Sequence, residues 1–147
     1  MNMSQNSFFR ETTLRICGKL KIDEALFDSF NYMKQQMPLD RIYLERYDPQ
    51  YGAMRIIASA DELGGREMDL LTPLSEEARH LAALPELPNH ANVYIFKNPT
   101  QDPLSREILA FLALECSSLM VMLLGSSIKP LGALVLLTNN EAGYDNS

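Results

Sequence analysis

The side chains best suited to catalysis or metal binding are few in this sequence and lie far apart. It contains two histidines, His80 and His90, and two cysteines, Cys17 and Cys116. A zinc site needs several convergent ligands, and the sequence has neither a His-x-x-x-His pair nor a Cys/His cluster. A cysteine nucleophile needs a base within reach, and neither cysteine has a histidine at helical spacing. We therefore expect surface histidines, inert thiols, no metal and no enzyme activity.

Two further patterns have a simpler explanation than catalysis. The pair Gly64-Gly65 lacks the GxxxxGK[ST] or GxGxxG context that holds phosphates, so we interpret it as a flexible turn. Adjacent carboxylates at predicted helix starts complement the helix dipole, and those in loops are solvated. These carboxylate pairs are Asp23-Glu24, Asp61-Glu62 and Glu76-Glu77.

The polar residues with the most informative positions fall in a predicted β-hairpin. Residues 41–47 and 53–60 alternate in character and flank a segment with turn chemistry, Asp48–Gly52. We expect Tyr47 to pair with Ala53. One face would then be aliphatic (Ile42, Leu44, Ile56 and Ala58), and the other would pair Glu45 with Arg55 and Tyr43 with Ile57.

The pair formed by Glu45 and Arg55 has two interpretations. It is either a cross-strand ion pair, worth roughly 0.2–1 kcal/mol, or the polar part of a ligand pocket beside Tyr43 and Ile57. In the second case, Arg55→Ala would abolish binding of a small anionic ligand. Met120 and Met122 share one face of a later strand and suit either core packing or an adaptable binding surface. The ligand-binding hypothesis includes Tyr43, Glu45, Arg55, Ile57, Leu70, Arg79, Met120 and Met122.

Length and charge narrow the class of function. The chain has 147 residues, of which 46% are hydrophobic and 22% charged, as expected for one soluble domain with a core. The net charge of −6 repels a phosphate backbone, so we expect no direct binding to nucleic acid. The polar start and the short apolar runs indicate neither a signal peptide nor a membrane span. These features favour a cytoplasmic regulatory or binding domain.

The elements that must position these residues follow from periodicity and capping. Residues 7–20 predict a helix on which Phe8 and Leu14 lie outside the apolar stripe, and a second helix runs from a cap at Asp23 to Met37, before Pro38. We expect Asn139–Ser147 to be a frayed end. The remaining predictions are a loop at Asp61–Glu67, a strand at Met68–Leu74, a helix capped by Ser75 and ending near Leu84, a strand at Val93–Phe96, a helix capped by Asp102 with Pro103 first, and two strands apolar on both faces at Leu119–Leu124 and Leu131–Thr138.

Two segments carry a resemblance to the GAF family of sensory domains. Residues 22–48 resemble a helix followed by a D-R-x-x-L strand that finishes in Asp, here Asp40-Arg41 to Asp48. Residues 119–136 resemble a P-L-x-x-x-G-x-L-x-L hairpin, in which a glycine such as Gly132 allows tight pairing. The segment Asn6–Cys17 also resembles the N-terminal sensory modules of sigma-54-dependent transcriptional regulators.

The resemblance implies an α+β fold, GAF-like (profilin-like), with three α/β/α layers around an antiparallel sheet of about six strands. It implies that the middle segment, Asp61–Phe96 with the helix at 103–115, covers one face and encloses a ligand. Members of the family bind cyclic nucleotides, tetrapyrroles, haem or small metabolites. This sequence lacks the family's cyclic-nucleotide pattern and a bilin-attaching cysteine in the middle segment, so the cofactor stays unknown.

The domain is expected to work with partners. Members of the family usually end in a helix that leads into the next module, and Asn139–Ser147 stops before one, so we expect a single domain over 1–147 whose last helix is truncated. We expect a small-molecule ligand, an effector module on the same chain and a homodimer that uses Phe8 and Leu14. The competing hypothesis is a dimerisation module whose pocket is filled by its own side chains. A copurifying small molecule would separate the two.

Overall fold

Six antiparallel strands form one sheet in the spatial order β3-β2-β1-β6-β5-β4 within the described residues. The computed structural model describes residues 21–82, 93–125, 130–140 and 143–144. β1 and β6 lie at the centre of the sheet. β5 and β6 contribute apolar side chains to both faces, as the sequence predicts for covered strands. The strands are β1 (Arg41–Asp48), β2 (Ala53–Asp61), β3 (Gly64–Pro73), β4 (Val93–Phe96), β5 (Ser118–Gly125) and β6 (Pro130–Thr138).

Helices cover both faces of this sheet, which gives the expected three layers. α1 (Ile22–Lys34) lies on one side, which we call the α1 face. α2 (Glu76–Ala82) and α3 (Pro103–Leu112) lie on the other, the α2–α3 face, and a short 3₁₀ turn at Pro99–Gln101 precedes α3. None of the helices in the described ranges has the length and apolar character needed to cross a membrane. The predicted helix 7–20, with Phe8 and Leu14, lies outside the described residues.

The core of the α1 face joins one stripe of α1 to alternate residues of the sheet. Leu26, Phe30 and Met33 are fully buried there, and the sheet contributes Ile42, Leu44, Ala58, Ala60, Met120, Met122, Leu134 and Leu136. The prediction that Asp23 caps α1 was wrong, because the helix begins at Ile22 after Lys21 and has no side-chain cap. It also ends at Lys34, since a turn occupies the residues before Pro38.

The pair Gly64-Gly65 is part of a strand, so the predicted loop over Asp61–Glu67 was wrong. β2 and β3 are joined by a two-residue turn, and β3 begins at Gly64. A Cβ on Gly65 would lie 2.1 Å from the carbonyl oxygen of Asp23. Glycine is therefore required where the start of α1 packs on the strand backbone.

The α2–α3 face has its own core, and the predicted caps position both of its helices. Asp102 Oδ2 accepts a hydrogen bond from the Ser105 backbone N–H at 2.9 Å, and Ser75 Oγ accepts one from the Ala78 N–H at 3.2 Å. Each confirms a predicted N-cap. The buried members of this core are Tyr43, Met54, Ile56, Leu74, Ala78, Ile108, Leu109, Leu119, Val135 and Leu137.

The expected frayed end contains a buried residue. Tyr144 is 4% exposed and belongs to the core of the α1 face. Its backbone N–H donates to Ser118 Oγ at 3.1 Å, and the Gly143 N–H before it donates to the Asn140 carbonyl oxygen at 2.9 Å. The prediction for this position was wrong because an aromatic ring stabilises the segment by burial, whatever the polarity of its neighbours.

Candidate functional site

The hairpin of β1 and β2 has a different register from the expected one. Asp48, not Tyr47, pairs with Ala53, and irregularities follow between Leu44 and Glu45 and between Ile56 and Ala58. Glu45 therefore lies opposite Ile56. Because side chains alternate along a strand, this one-residue offset moves residues to the other face. The predicted pairing of Glu45 with Arg55 was wrong.

Arg55 points away from Glu45 and forms a cluster with two aspartates. Its Nη2 donates to Asp48 Oδ2 at 3.0 Å, and its Nη1 bonds Asp69. Its strand neighbours Met54 and Ile56 belong to the α2–α3 core, so Arg55 lies on the opposite side of the sheet. The hydrogen bond from Arg55 lowers the pKa of Asp48, and the bonds to both aspartates raise the pKa of Arg55.

This cluster gives a first testable prediction. Arg55→Met is expected to raise the pKa of the Asp48 carboxyl towards its ordinary value, because the main cause of its depression is lost. Any stability that this carboxylate contributes is present above its unfolded-state pKa and is lost as the pH falls through its lowered folded-state pKa. A carboxyl-carbon NMR titration of both proteins measures the shift, with Arg66→Met as a control arginine. An unchanged Asp48 titration would contradict the assignment.

Glu45 is the acidic side chain of the predicted site, and it is buried on the α2–α3 face of the sheet. It is 6% exposed, and its Oε2 accepts no hydrogen bond from any residue that the structure describes. Burial raises the pKa of Glu45 to about 8. Buried carboxyls normally have hydrogen-bond partners, so an unpartnered one requires an explanation.

Polar and aromatic groups accompany Glu45 on this face. Tyr43 lies two residues before it and is 3% exposed, and its pKa is raised first by burial and then by the nearby Glu45 carboxyl. Tyr47 lies two residues after it and is half-buried against the same core. On β3, the fully buried Thr72 also has an Oγ1 without a hydrogen-bond partner among the described residues.

The structure brings together only part of the predicted ligand-binding set. Leu70 and Tyr43 pack in the α2–α3 core. Arg79 is exposed on α2. Its side chain covers the β1–β2 turn, because a Cβ added to Gly52 would lie 2.6 Å from Arg79 Cδ. The remaining members, Ile57, Met120 and Met122, pack in the core of the α1 face, so a pocket on the other face excludes them.

A separate open cleft of about 360 Å³ lies at the end of the sheet where β1 begins and β6 ends. No member of the predicted site lines it. Two of its carboxylates are already paired, since Asp61 contacts Arg41 at 3.5 Å and Asp40 Oδ2 accepts from the Asn139 N–H at 2.6 Å. The cleft is lined by Asp40, Arg41, Asp61, Glu62, Leu63, Leu114, Glu115, Cys116, Leu137, Thr138 and Asn139.

The described histidine and cysteine are poor candidates for chemistry. Cys116 is half-buried in the cleft, and burial raises its thiol pKa to about 11, which keeps it protonated at neutral pH. His80 is exposed on α2, as expected. Within the described ranges, no group of three His, Cys, Asp or Glu side chains is arranged to hold a metal ion. Cys17 and His90 lie outside the described residues.

The fold has clear counterparts among solved structures. It matches the phycocyanobilin-bound GAF domain of a cyanobacterial phytochrome with a TM-score of 0.57 at 18% identity, over 99% of this chain and 86% of that one. It matches the blue-light-absorbing form of the PixJ GAF domain of Thermosynechococcus elongatus with a TM-score of 0.54 at 15% identity, over 95% of this chain and 76% of that one. This chain has the GAF fold. No family profile and no curated protein sequence matches this chain.

In this GAF fold, sequence reasoning missed Tyr47, Ile56 and Thr72 as residues around Glu45. Tyr47 was expected opposite Ala53 in the hairpin but not as a site residue. Ile56 was wrongly predicted on the aliphatic face, because it lies beside irregular pairings, and no residue type in the sequence marks it or Thr72. One signal in the sequence was available. A bulge between Ile56 and Ala58 places small residues on one face of β2 and larger apolar residues on the other. Ala58 and Ala60 suit the crowded α1 face, whereas Ile56 and Met54 suit the other.

Proposed function

We propose that this chain is a sensory domain that binds a small molecule at Glu45, between the sheet and the α2–α3 layer. An effector module attached to the same polypeptide would respond to the bound state. The observation that carries this proposal is the buried Glu45 carboxyl with an unpartnered oxygen. A group of this kind destabilises a fold by itself, so its presence favours a binding role over a structural one.

The helix that covers this site, α2, is short enough to move. α2 has seven residues, and Ala78 is its buried one. Its start is attached to α3, because the Ser75 backbone N–H donates to Glu107 Oε1 at 2.7 Å and the Ser75 hydroxyl bonds the other oxygen of that carboxylate. A ligand that lifts α2 would therefore also displace α3, and this offers a route from binding to signal.

The ligand and the effector are proposed at different levels of detail. The phytochrome domain with the same fold was solved with phycocyanobilin bound. Residues 61–96 of this chain contain no cysteine, so a bilin attached to the protein there through a thioether is not part of the proposal. For the effector, the resemblance of Asn6–Cys17 favours a sigma-54-dependent transcriptional regulator, so we propose transcription regulation in a bacterium.

Native mass spectrometry after incubation with a small-molecule extract tests the proposal. We expect one bound molecule per chain. Leu70→Phe is expected to abolish this adduct, because the larger ring occupies the α2–α3 face. Leu71→Phe is the matched control, since the same change one residue along β3 faces the other side. Circular dichroism verifies that both variants fold.

The competing function is a dimerisation module without a ligand. The density of apolar side chains around Ile108, Leu109 and Val135 favours it, because they fill the α2–α3 face from within the chain. A dimer without any adduct in the same mass spectra would support this alternative and overturn the sensory proposal. Phe8 and Leu14 remain the proposed dimer contacts, and Phe8→Ala with Leu14→Ala would then give a monomer.

A further inference from the structure

Among the residues that the structure describes, no positive charge balances Glu45. The arginine expected beside it, Arg55, is bound by Asp48 and Asp69 on the opposite face of the sheet. Arg79 instead directs its Nε to the Ser75 carbonyl oxygen at 3.4 Å. Burial is the only cause that raises the pKa of Glu45, which means that no described cation acts on it appreciably.

Two aromatic rings flank the carboxyl on the same strand. Tyr43 and Tyr47 lie two residues before and after Glu45, and all three side chains belong to the α2–α3 face. The strand neighbours across the sheet are apolar, Ile56 on β2 and Ala133 on β6. A carboxyl that lies between tyrosine rings and next to apolar residues favours the binding of organic cations, through its charge and through cation–π contacts with the rings.

Resting on the proposed function, we infer that the group recognised at Glu45 is a positively charged nitrogen, of the organic ammonium or amidinium class. Its N–H donates to Oε2, which is otherwise unpartnered, and its charge replaces the missing arginine. Tyr43 and Tyr47 lie beside the bound nitrogen. A charge-assisted hydrogen bond inside a core is among the stronger polar contacts, so we expect Oε2 of Glu45 to dominate the selectivity for the ligand.

Binding of a cation also moves a proton. With a pKa of about 8, the free carboxyl holds its proton at neutral pH. A bound cation favours the carboxylate, so the O–H bond of Glu45 breaks and the proton passes to the buffer. On its own strand, the titratable groups beside Glu45 on this face are Tyr43 and Tyr47. The titratable groups of α2 and α3 are exposed or already bonded, namely Glu76, Glu77, Arg79, His80 and Arg106 at the surface and Glu107 on Ser75.

Benzylammonium and its uncharged counterpart benzyl alcohol test the inference in NMR titrations of the whole chain. We expect benzylammonium to bind about tenfold more tightly than benzyl alcohol, with shifts at the amides of β1. Glu45→Gln is expected to bring the two affinities within about twofold of each other. Calorimetry in two buffers of different ionisation enthalpy should show release of about one proton for each benzylammonium bound.

Three variants make the result specific. Glu67→Gln applies the same change to an exposed glutamate on β3 and should preserve the preference for the cation. Glu62→Gln removes an acidic group of the open cleft and should also preserve it. Tyr47→Leu removes one ring and should weaken benzylammonium by about threefold.

Several results would overturn the inference. They are failure of benzylammonium to bind, equal affinity for the alcohol, a preference that survives Glu45→Gln, and a preference that depends on Glu62. The proposed function fails separately. A neutral or anionic adduct that disappears with Leu70→Phe would preserve the sensory role and refute the cation, whereas no adduct together with no binding of either probe refutes both.

Discussion

Glu45→Gln is expected to make the protein more stable than the wild type by several kcal/mol at alkaline pH and nearly equal to it in mild acid. The folded-state pKa of Glu45, about 8, lies above the ordinary value of 4.5. The folded state therefore binds this proton more tightly than the unfolded state does. Stability is highest below the unfolded-state pKa and falls as the pH rises towards the folded-state pKa, by about 1.4 kcal/mol for each unit of separation.

The glutamine variant lacks this loss because an amide of the same size does not ionise. The other described groups with shifted pKa values do not compete between about pH 5 and pH 8. Tyr43, Cys116 and Tyr144 have values raised above this range, and Asp48 and Glu107 have values lowered.

Urea unfolding of both proteins between about pH 5 and pH 9 measures the effect. The wild type should lose stability across this range relative to Glu45→Gln, and the two should be within about 1 kcal/mol of each other near pH 5. Glu67→Gln is the control and should follow the wild type. Parallel curves for the wild type and Glu45→Gln would contradict a buried, unpartnered carboxyl.

Gly132→Ala is expected to destabilise the fold by about 3–5 kcal/mol, more than any other single methyl addition that we propose. Gly132 has φ +147°, a conformation that side chains disfavour, and a Cβ there would lie 2.7 Å from the carbonyl oxygen of Glu45. β6 approaches β1 closely at this point, so backbone rather than a flexible side chain would have to move. The substitution would therefore also displace Glu45 itself.

Gly64→Ala separates the cost of backbone strain from the cost of the close contact between strands. Gly64 has a similar φ, +133°, but no atom lies within 4 Å of its added Cβ. Its substitution should cost only the backbone strain, about 1–3 kcal/mol. Thermal and urea unfolding of both variants measure the difference, which is the cost of the contact with β1. Equal destabilisation by the two alanines would show that the close approach of β6 to Glu45 contributes nothing.

The stability prediction for Glu45 and the binding proposal concern the same carboxyl. The carboxyl that we propose as the cation site is also the group that costs the free protein stability at neutral pH, because no counter-charge from the described part of the chain accompanies it. Binding sites often retain such unfavourable groups, since a ligand compensates for them. A variant that is more stable and has lost its preference for a cation would therefore support both the stability argument and the binding proposal.

Local patterns in the sequence were sufficient for much of the architecture. Asp102 and Ser75 are caps because their side chains can satisfy free backbone N–H groups, a requirement that depends on a few neighbouring residues. The alternation of β6 was also readable, as Leu134 and Leu136 face α1 while Val135 and Leu137 face the other layer. The resemblance to GAF domains supplied the sheet between helices, which the structure confirms.

The candidate site was predicted only in part, for a reason that lies in the pairing of strands. Tyr43 and Leu70 were assigned to the correct face. Arg55 was assigned to the wrong one, because a shift of one residue at the turn and a bulge beside Glu45 are decided by contacts across the sheet. Met120 and Met122 could equally have faced either layer of a strand that is apolar on both sides.

By itself, the sequence determined that this is an α+β domain with capped helices, two apolar central strands and an acidic surface. These properties depend on residue type and short-range periodicity, which are present in any unfolded copy of the chain. Only the tertiary structure decided that Glu45 has no counter-ion among the described residues. Its expected partner Arg55 lies three positions after the β1–β2 turn, and packing on both faces of the sheet sets the register of that hairpin. Glu45 and Arg55 are therefore placed on opposite faces only once the sheet has formed.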